Sequence, residues 1–251
     1  MNPILLVSGA GFLAGAMNAL AGGGSFVSLP ALIAAGVPPV QANASSTVAL
    51  FPGGVASAWA YRTSTGPIGD ASLRALLIAT LCGGSVGGVL LLYSSAKAFS
   101  FVLPWLLLLA SVALAFGRRV GEALRAQRHP PRSVIIVVQF CLGVYGGYFG
   151  GAVGIMMIAI WGLFDGRDLK ALNAPRTLLV SAANISAVLI FIVAHAVRWQ
   201  ETVTMMIAAI VGGYIGAHIG RRAPQRLVRI GTLALTFCVT AAFFVRTYGA
   251  A

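Results

Sequence analysis

Residues 11–25 read G-F-L-A-G-A-M-N-A-L-A-G-G-G-S, and residues 142–154 read L-G-V-Y-G-G-Y-F-G-G-A-V-G. After each stretch come an apolar run, a single glycine (Gly36, Gly166) and a polar cluster. The first cluster, Q-A-N-A-S-S-T, ends at Thr47; the second, A-L-N-A-P-R-T, ends at Thr177. Adding 130 carries Gly24 to Gly154, Asn43 to Asn173, Ala44 to Ala174 and Thr47 to Thr177 without a gap. Gly83, Gly84 and Gly87 fall on Gly212, Gly213 and Gly216 after a slip of one residue. The chain therefore carries one pattern twice. Glycine-interrupted apolar segments at matching positions of two halves are the pattern of a secondary transporter.

Composition fixes the solvent. Hydrophobic residues make up 59% of 251 positions and charged residues 9%, against about 25% charged in soluble domains. Apolar stretches recur at about 3–36, 44–61, 75–92, 99–116, 133–163, 177–197, 202–219 and 230–245. Several reach the ~20 residues a helix needs to cross the hydrocarbon. Helices are expected, because nothing in the bilayer satisfies an open backbone, and the runs lack the alternation of a membrane barrel. The first stretch has no charged n-region and its apolar run continues to Ala35, so it reads as a span rather than a cleaved signal. The net charge of +12 does not point to nucleic acid, since the 17 Lys and Arg sit at segment ends. In a membrane protein such residues set orientation.

The charges also decide the count of crossings. Eight simple spans would put the basic stretch 117–132 and the basic loop 220–229 on opposite sides. The stretches 3–36 and 133–163 exceed 30 residues and are broken at Gly22-Gly23-Gly24 and between Gly146 and Gly154. If each is a hairpin that returns to its own side, fourteen basic residues gather on one face. Lys97, Arg198 and Arg246 remain on the other. That is the positive-inside bias. The fold expected is all-α and polytopic, with two homologous halves, each a glycine-broken helical hairpin plus three spanning helices. Three crossings per half is odd, so the halves are expected to be inverted repeats. The domains expected are a first membrane repeat at 1–117, a basic cytoplasmic linker at 118–132 and a second membrane repeat at 133–251.

The chemistry-bearing residues cluster at the breaks. Gly22, Gly23, Gly24 and Ser25 open a short apolar helix; Gly150, Gly151 and Gly154 hold the corresponding place. Glycines let backbone N–H groups approach a ligand, and a helix N-terminus suits an anion. The same glycines would equally serve close helix packing, the reading preferred for Gly83 to Gly88 and Gly212 to Gly216. Asn43, Ser45, Ser46 and Thr47 begin one spanning helix in this reading, and Asn173, Arg176 and Thr177 begin its partner. They are either ordinary caps or donors to an oxyanion. Asn18 and Tyr148, matched by the same offset, precede the breaks and are candidate lining groups, or bond a neighbouring helix. Asn184 is a third polar group inside an apolar segment.

Asp70, Glu122, Asp165, Asp168 and Glu201 all lie at segment ends. A lining without mid-span carboxylates favours an anion over a cation. Cys82, Cys141 and Cys238 are isolated, with no metal or redox spacing, and the three histidines show no paired spacing either, so no metal site or cofactor is expected. An intramembrane serine protease would need a base beside its serine; His218 with Ser25 is the one conceivable pair, and nothing else supports it. No enzyme is expected.

The glycine triplet followed by S-F-V-S-L-P-A-L, a short break and A-N-A-S-S-T, repeated in the second half, resembles the sulfite exporter TauE/SafE family of membrane permeases over about residues 9–245. The second half departs from the pattern: G-G-Y-F-G-G-A-V-G replaces a plain triplet, and Pro175-Arg176 replaces small hydroxyl residues. The resemblance implies a multi-pass transporter of the inner (plasma) membrane, carrying sulfite, sulfoacetate or related sulfur-containing or organic anions. Its partners would be a small anionic substrate and the lipid bilayer. A coupling proton or sodium ion and a homo-oligomer stay open. So do two rival functions, a transporter of another solute such as a cation or amino acid, and a non-transporting membrane scaffold subunit.

Overall fold

The computed structural model describes residues 3–20, 22–61, 66–123, 130–162, 165, 171–220 and 225–249. Arg62, Arg125, Arg128, His129, Gly166, Arg167, Asp168, Lys170, Arg221 and Arg222 lie outside them, as do the side chains of Arg118, Arg119, Glu122, Arg226 and Arg229. The described residues form helices joined by short connections, with an isolated bridge between Ile68 and Ala71. In chain order the helices are α1 (Pro3–Leu20), α2 (Ser25–Ala34), α3 (Pro39–Tyr61), α4 (Leu73–Tyr93), α5 (Ala96–Ala123), α6 (Arg132–Tyr148), α7 (Val153–Trp161), α8 (Asn173–Val193), α9 (Trp199–Gly220) and α10 (Gln225–Tyr248). The two overlong apolar stretches are the two that break, into α1–α2 and α6–α7. Each half is thus a broken hairpin followed by three long helices.

Length separates the long arms from the short ones. Six helices (α1, α4, α5, α8, α9 and α10) are long and apolar enough to cross a bilayer, and the chain is a multi-pass membrane protein. The 23-residue α3 is as long but carries the polar run and Pro52. α2 has 10 residues and α7 has 9. At 1.5 Å per residue these short arms rise only about 15 and 14 Å, half the hydrocarbon depth.

α3 begins four residues earlier than expected. Pro39 takes its first position, where a missing N–H costs nothing, and Ala42 N–H already donates to Pro38 O. Asn43 is therefore a turn inside the helix and does not cap it. α2 stops at Gly36 (φ 91°), with Gly36 N–H on Ile33 O and Val37 N–H on Leu32 O. This paired closure needs a left-handed residue. α8 stops the same way at His195 (φ 52°), with His195 N–H on Ile192 O and Ala196 N–H on Phe191 O. α5 runs on to Ala123, into the basic stretch.

The chain divides into two compact units, and each draws on both halves of the sequence. One comprises Met1–Gly53, Leu92–Ser111 and Phe191–Ala251; the other comprises Gly54–Leu91 and Val112–Ile190. In the first, α1 packs along α9. A Cβ added at Gly11 would come within 2.6 Å of Met205 O, and one at Gly15 would strike the backbone of Ala209. Gly212 and Gly216 of α9 meet the backbone of Phe12 and Ala16 in return. In the second, Gly143 and Gly147 of α6 lie against the backbones of Thr80 and Gly84, while Gly83 and Gly87 of α4 lie against Phe140 and Val144. Pairs of glycines four apart let backbones touch, the packing that dispersion favours in lipid. The long arm of each hairpin therefore packs on a glycine helix from the other half.

The second unit has a buried core around Leu76, Leu142, Met157, Trp161 and Leu179. A polar chain runs through it. Trp161 Nε1 donates to Gln139 Oε1 (3.1 Å), Gln139 Nε2 donates to Thr80 Oγ1 (2.7 Å), and Thr80 Oγ1 donates to Leu76 O (2.6 Å). Gln139 and Thr80 are fully buried, where an unmet polar group would cost about 1–3 kcal/mol. The chain of bonds holds α7 to α6 and α4.

Candidate functional site

The first break is a turn of glycines. Gly22 (φ 68°) and Gly23 (φ 147°) take backbone angles that a side chain disfavours. Gly24 sits so close to Ala14 that a Cβ would meet its carbonyl at 2.5 Å, with Leu50 of α3 on another side. The N–H groups of Phe26 and Val27 fold onto Gly23 O and Gly24 O. Among the described residues no carbonyl accepts from Gly23, Gly24 or Ser25, the three N–H groups at the open end of α2. No side chain caps this helix. Asn18, near the end of α1, is exposed.

The first polar cluster makes hydrogen bonds within its own unit. Ser46 Oγ lies 2.6 Å from Ser28 Oγ, both buried, joining α3 to α2, and Ser28 Oγ also donates to Gly24 O (3.1 Å). Ser45 Oγ accepts from Arg198 N–H at 2.9 Å, tying α3 to the connection before α9. Thr47 Oγ1 donates to Asn43 O within its own helix (2.9 Å). Asn43 is buried.

The second break repeats the geometry with different residues. α6 ends at Tyr148; Gly150 (φ 75°) and Ala152 (φ 56°) turn the chain into α7. Ala152 stands 130 residues after Gly22 and takes the same left-handed conformation. Gly151 leaves no room for a Cβ beside the Phe149 ring. Gly154 faces Val180, as Gly24 faces Leu50, again an offset of 130. Thr177 Oγ1 donates to Asn173 O (2.8 Å), repeating Thr47 on Asn43.

Arg176 makes the difference between the copies. A Cβ at Gly154 would lie 3.2 Å from Arg176 Cδ, so the arginine stem lies along the first turn of α7. Ile155 and Met156 N–H close on Ala152 O. Among the described residues nothing accepts from Val153 or Gly154 N–H, and no side chain caps α7. The stem of the half-buried Arg176 and a helix N-terminus, the one carrying a positive charge and the other a partial one, thus lie side by side in the second unit. One turn beyond Val180 on the same helix face, Asn184 Oδ1 is buried and accepts no hydrogen bond among the described residues.

The structure gathers the sequence-derived residues into two groups, one per unit. Asn18, Gly22 to Ser25, Asn43 and Ser45 to Thr47 belong to the first. Tyr148, Gly150, Gly151, Gly154, Asn173, Arg176 and Thr177 belong to the second. Among the described acids, Asp70 is exposed, Glu201 lies 4.0 Å from Arg198, and Asp165 accepts Gly69 N–H at 3.1 Å to join two connections of the second unit. No group of three His, Cys, Asp or Glu forms among the described residues. Sequence reasoning passed over Gln139 and Ser28. A lone glutamine inside V-V-Q-F-C-L was the signal for the first, and Ser28 within the matching motif carried none.

Residues 7–243 match the family described as Sulfite exporter TauE/SafE. The probable membrane transporter protein YfcA of Escherichia coli K12 is 26% identical over 238 residues, covering 94% of this chain and 88% of the relative. A probable membrane transporter protein of Haemophilus influenzae is 26% identical over 231 residues, covering 92% and 90%. The probable membrane transporter protein ORF9 of a Sinorhizobium species is 27% identical over 216 residues, covering 85% and 80%. No solved structure matches.

Proposed function

This chain belongs to the sulfite exporter TauE/SafE family, and from that membership we propose that it carries a small anion across the membrane by alternating access. Sulfite, sulfoacetate and related sulfur-containing or organic oxyanions are the substrates to test first. The observation that carries the anion is the corner formed by Arg176 and the open N-terminus of α7. Charge-assisted bonds to an oxyanion contribute about 1.5–3 kcal/mol each, and N–H groups at a helix start add a fixed dipole. Within the first unit, Gly22 to Ser25 offer backbone donors of the same kind without a charge.

Alternating access is supported by the repeat. Equivalent breaks hang on equivalent glycine contacts, α1 on α9 and α6 on α4, which suits two conformations that exchange the roles of the halves. The inverted arrangement has support of its own. Arg198 N–H meets Ser45, and Gly69 N–H meets Asp165. Each bond joins segments that the charge count assigns to one face.

The test is flux in proteoliposomes. Labelled sulfite or sulfoacetate should cross at a saturable rate, and excess unlabelled anion should suppress it. Folded protein that moves no anion, while moving a cation or an amino acid, would overturn the reading. No flux of any solute would leave the scaffold alternative standing.

A further inference from the structure

The first unit holds a cavity of about 550 Å³ at the end of α2 away from its glycine break. Ile33, Pro39, Phe101 and Phe243 are among its apolar lining, and Lys97 of α5 and Arg246 of α10 are its cations. Both cations are exposed, and neither forms an ion pair among the described residues. An aromatic group continues the lining. Trp105 Nε1 donates to Tyr248 Oη (2.9 Å), and Tyr248 Oη donates to Phe101 O (2.8 Å). Phe244 stacks on Tyr248 and meets Trp105 edge-on.

We propose that this cavity binds an anionic phospholipid, with the phosphate between Lys97 and Arg246 and the upper acyl chain against Phe101 and Phe243. Three observations lead there. First, two unpaired cations beside apolar walls fit a ligand that is itself anionic at one end and apolar at the other. Second, Trp and Tyr with bonded polar tips are the side chains that settle at headgroup depth. Third, the opening is about 550 Å³ and lined by Ile33, Pro39, Phe101 and Phe243, apolar surface that a small oxyanion alone would leave uncovered. The site is separate from the glycine breaks and does not depend on the transported solute.

The test is native mass spectrometry of the full chain in detergent micelles, with equimolar phosphatidylglycerol and phosphatidylcholine added. Phosphatidylcholine has the same phosphate but adds a choline cation that Lys97 and Arg246 would repel, so net-anionic phosphatidylglycerol should have an advantage of about tenfold or more. The double variant Lys97→Gln/Arg246→Gln should lose it. Arg198→Gln, a cation outside the cavity, should keep it. Equal retention of the two lipids, or an undiminished preference in the double variant, overturns the proposal. A second arm needs no variant. Dodecyl phosphate should displace phosphatidylglycerol from the wild-type protein where inorganic phosphate at the same concentration does not. Equal displacement by inorganic phosphate would mean a site for free oxyanions and no lipid site.

Discussion

Ser46 and Arg176 occupy the same position in the two repeats, 130 residues apart, yet they act differently. Ser46 is buried and spent on Ser28, and the pair fastens α3 to α2. The counterpart of Ser28 is Ile158, which can pair with no hydroxyl. There the second repeat places an arginine, lays its stem along α7 at Gly154, and leaves α7 to be held by the Trp161–Gln139–Thr80 chain. One copy of the motif locks its short helix with neutral groups, and the other brings a positive charge to it. Duplication preserved the backbone, including Gly22 and Ala152 in one left-handed conformation, while the side chains diverged.

The most severe way to probe this equivalence is to wedge the long arms. Gly15→Leu and Gly147→Leu should each cost about 3 kcal/mol or more, because backbone lies where the side chain would go. Gly9→Leu, with open space around it, should stay within about 0.5 kcal/mol. Thermal unfolding in detergent reads both. If Gly147→Leu were tolerated and Gly15→Leu were not, the two hairpins would not be anchored alike.

Next comes the charge. Arg176→Ser, which copies the first repeat onto the second, should raise the KM for anion flux about tenfold to a hundredfold, the loss of one charge-assisted contact. An unchanged KM with a lowered melting temperature would make Arg176 a packing residue. Ser46→Ala should do the reverse, costing about 1–2 kcal/mol of stability and leaving KM in place. A double-mutant cycle with Ser28→Ala should recover most of that as coupling; additive losses would show that the pair is no lock.

The smallest effects test the shared turn. Gly22→Ala should destabilise by about 1 kcal/mol and Ala152→Gly should stabilise by about the same amount, since a left-handed residue tolerates glycine better. Opposite signs are the expectation, read from the melting curves of the two variants. The same sign in both would mean that the turns are not equivalent.

Much of this was legible because lipid leaves the chain few options. Apolar length demanded helices, and the excess length of 3–36 and 133–163 with glycines at mid-stretch demanded breaks; among the described residues, 22–24 separate α1 from α2 and 149–152 separate α6 from α7. The polar clusters were harder. Hydroxyls at Ser45, Ser46 and Thr47 look alike in sequence whether they face a substrate or a neighbour. Two of them turned out to bond Ser28 and Arg198 N–H, and the third its own helix. The start of α3 at Pro39 went unrecognised because the polar run resembles a cap more than a proline pair does.

The sequence by itself determined that the chain is helical, where its two hairpins break and that its halves are copies. Hydropathy, glycine backbone freedom and a constant offset are local properties, readable without knowing what touches what. Only the tertiary structure decided which glycine helix each hairpin takes. α1 lies on α9 and α6 on α4, each from the opposite half. A face of glycines four apart is smooth and carries no polar group to name its partner, so any such face could meet any other. The choice is made by the close fit of whole helices, and that fit exists only once the two halves have folded together.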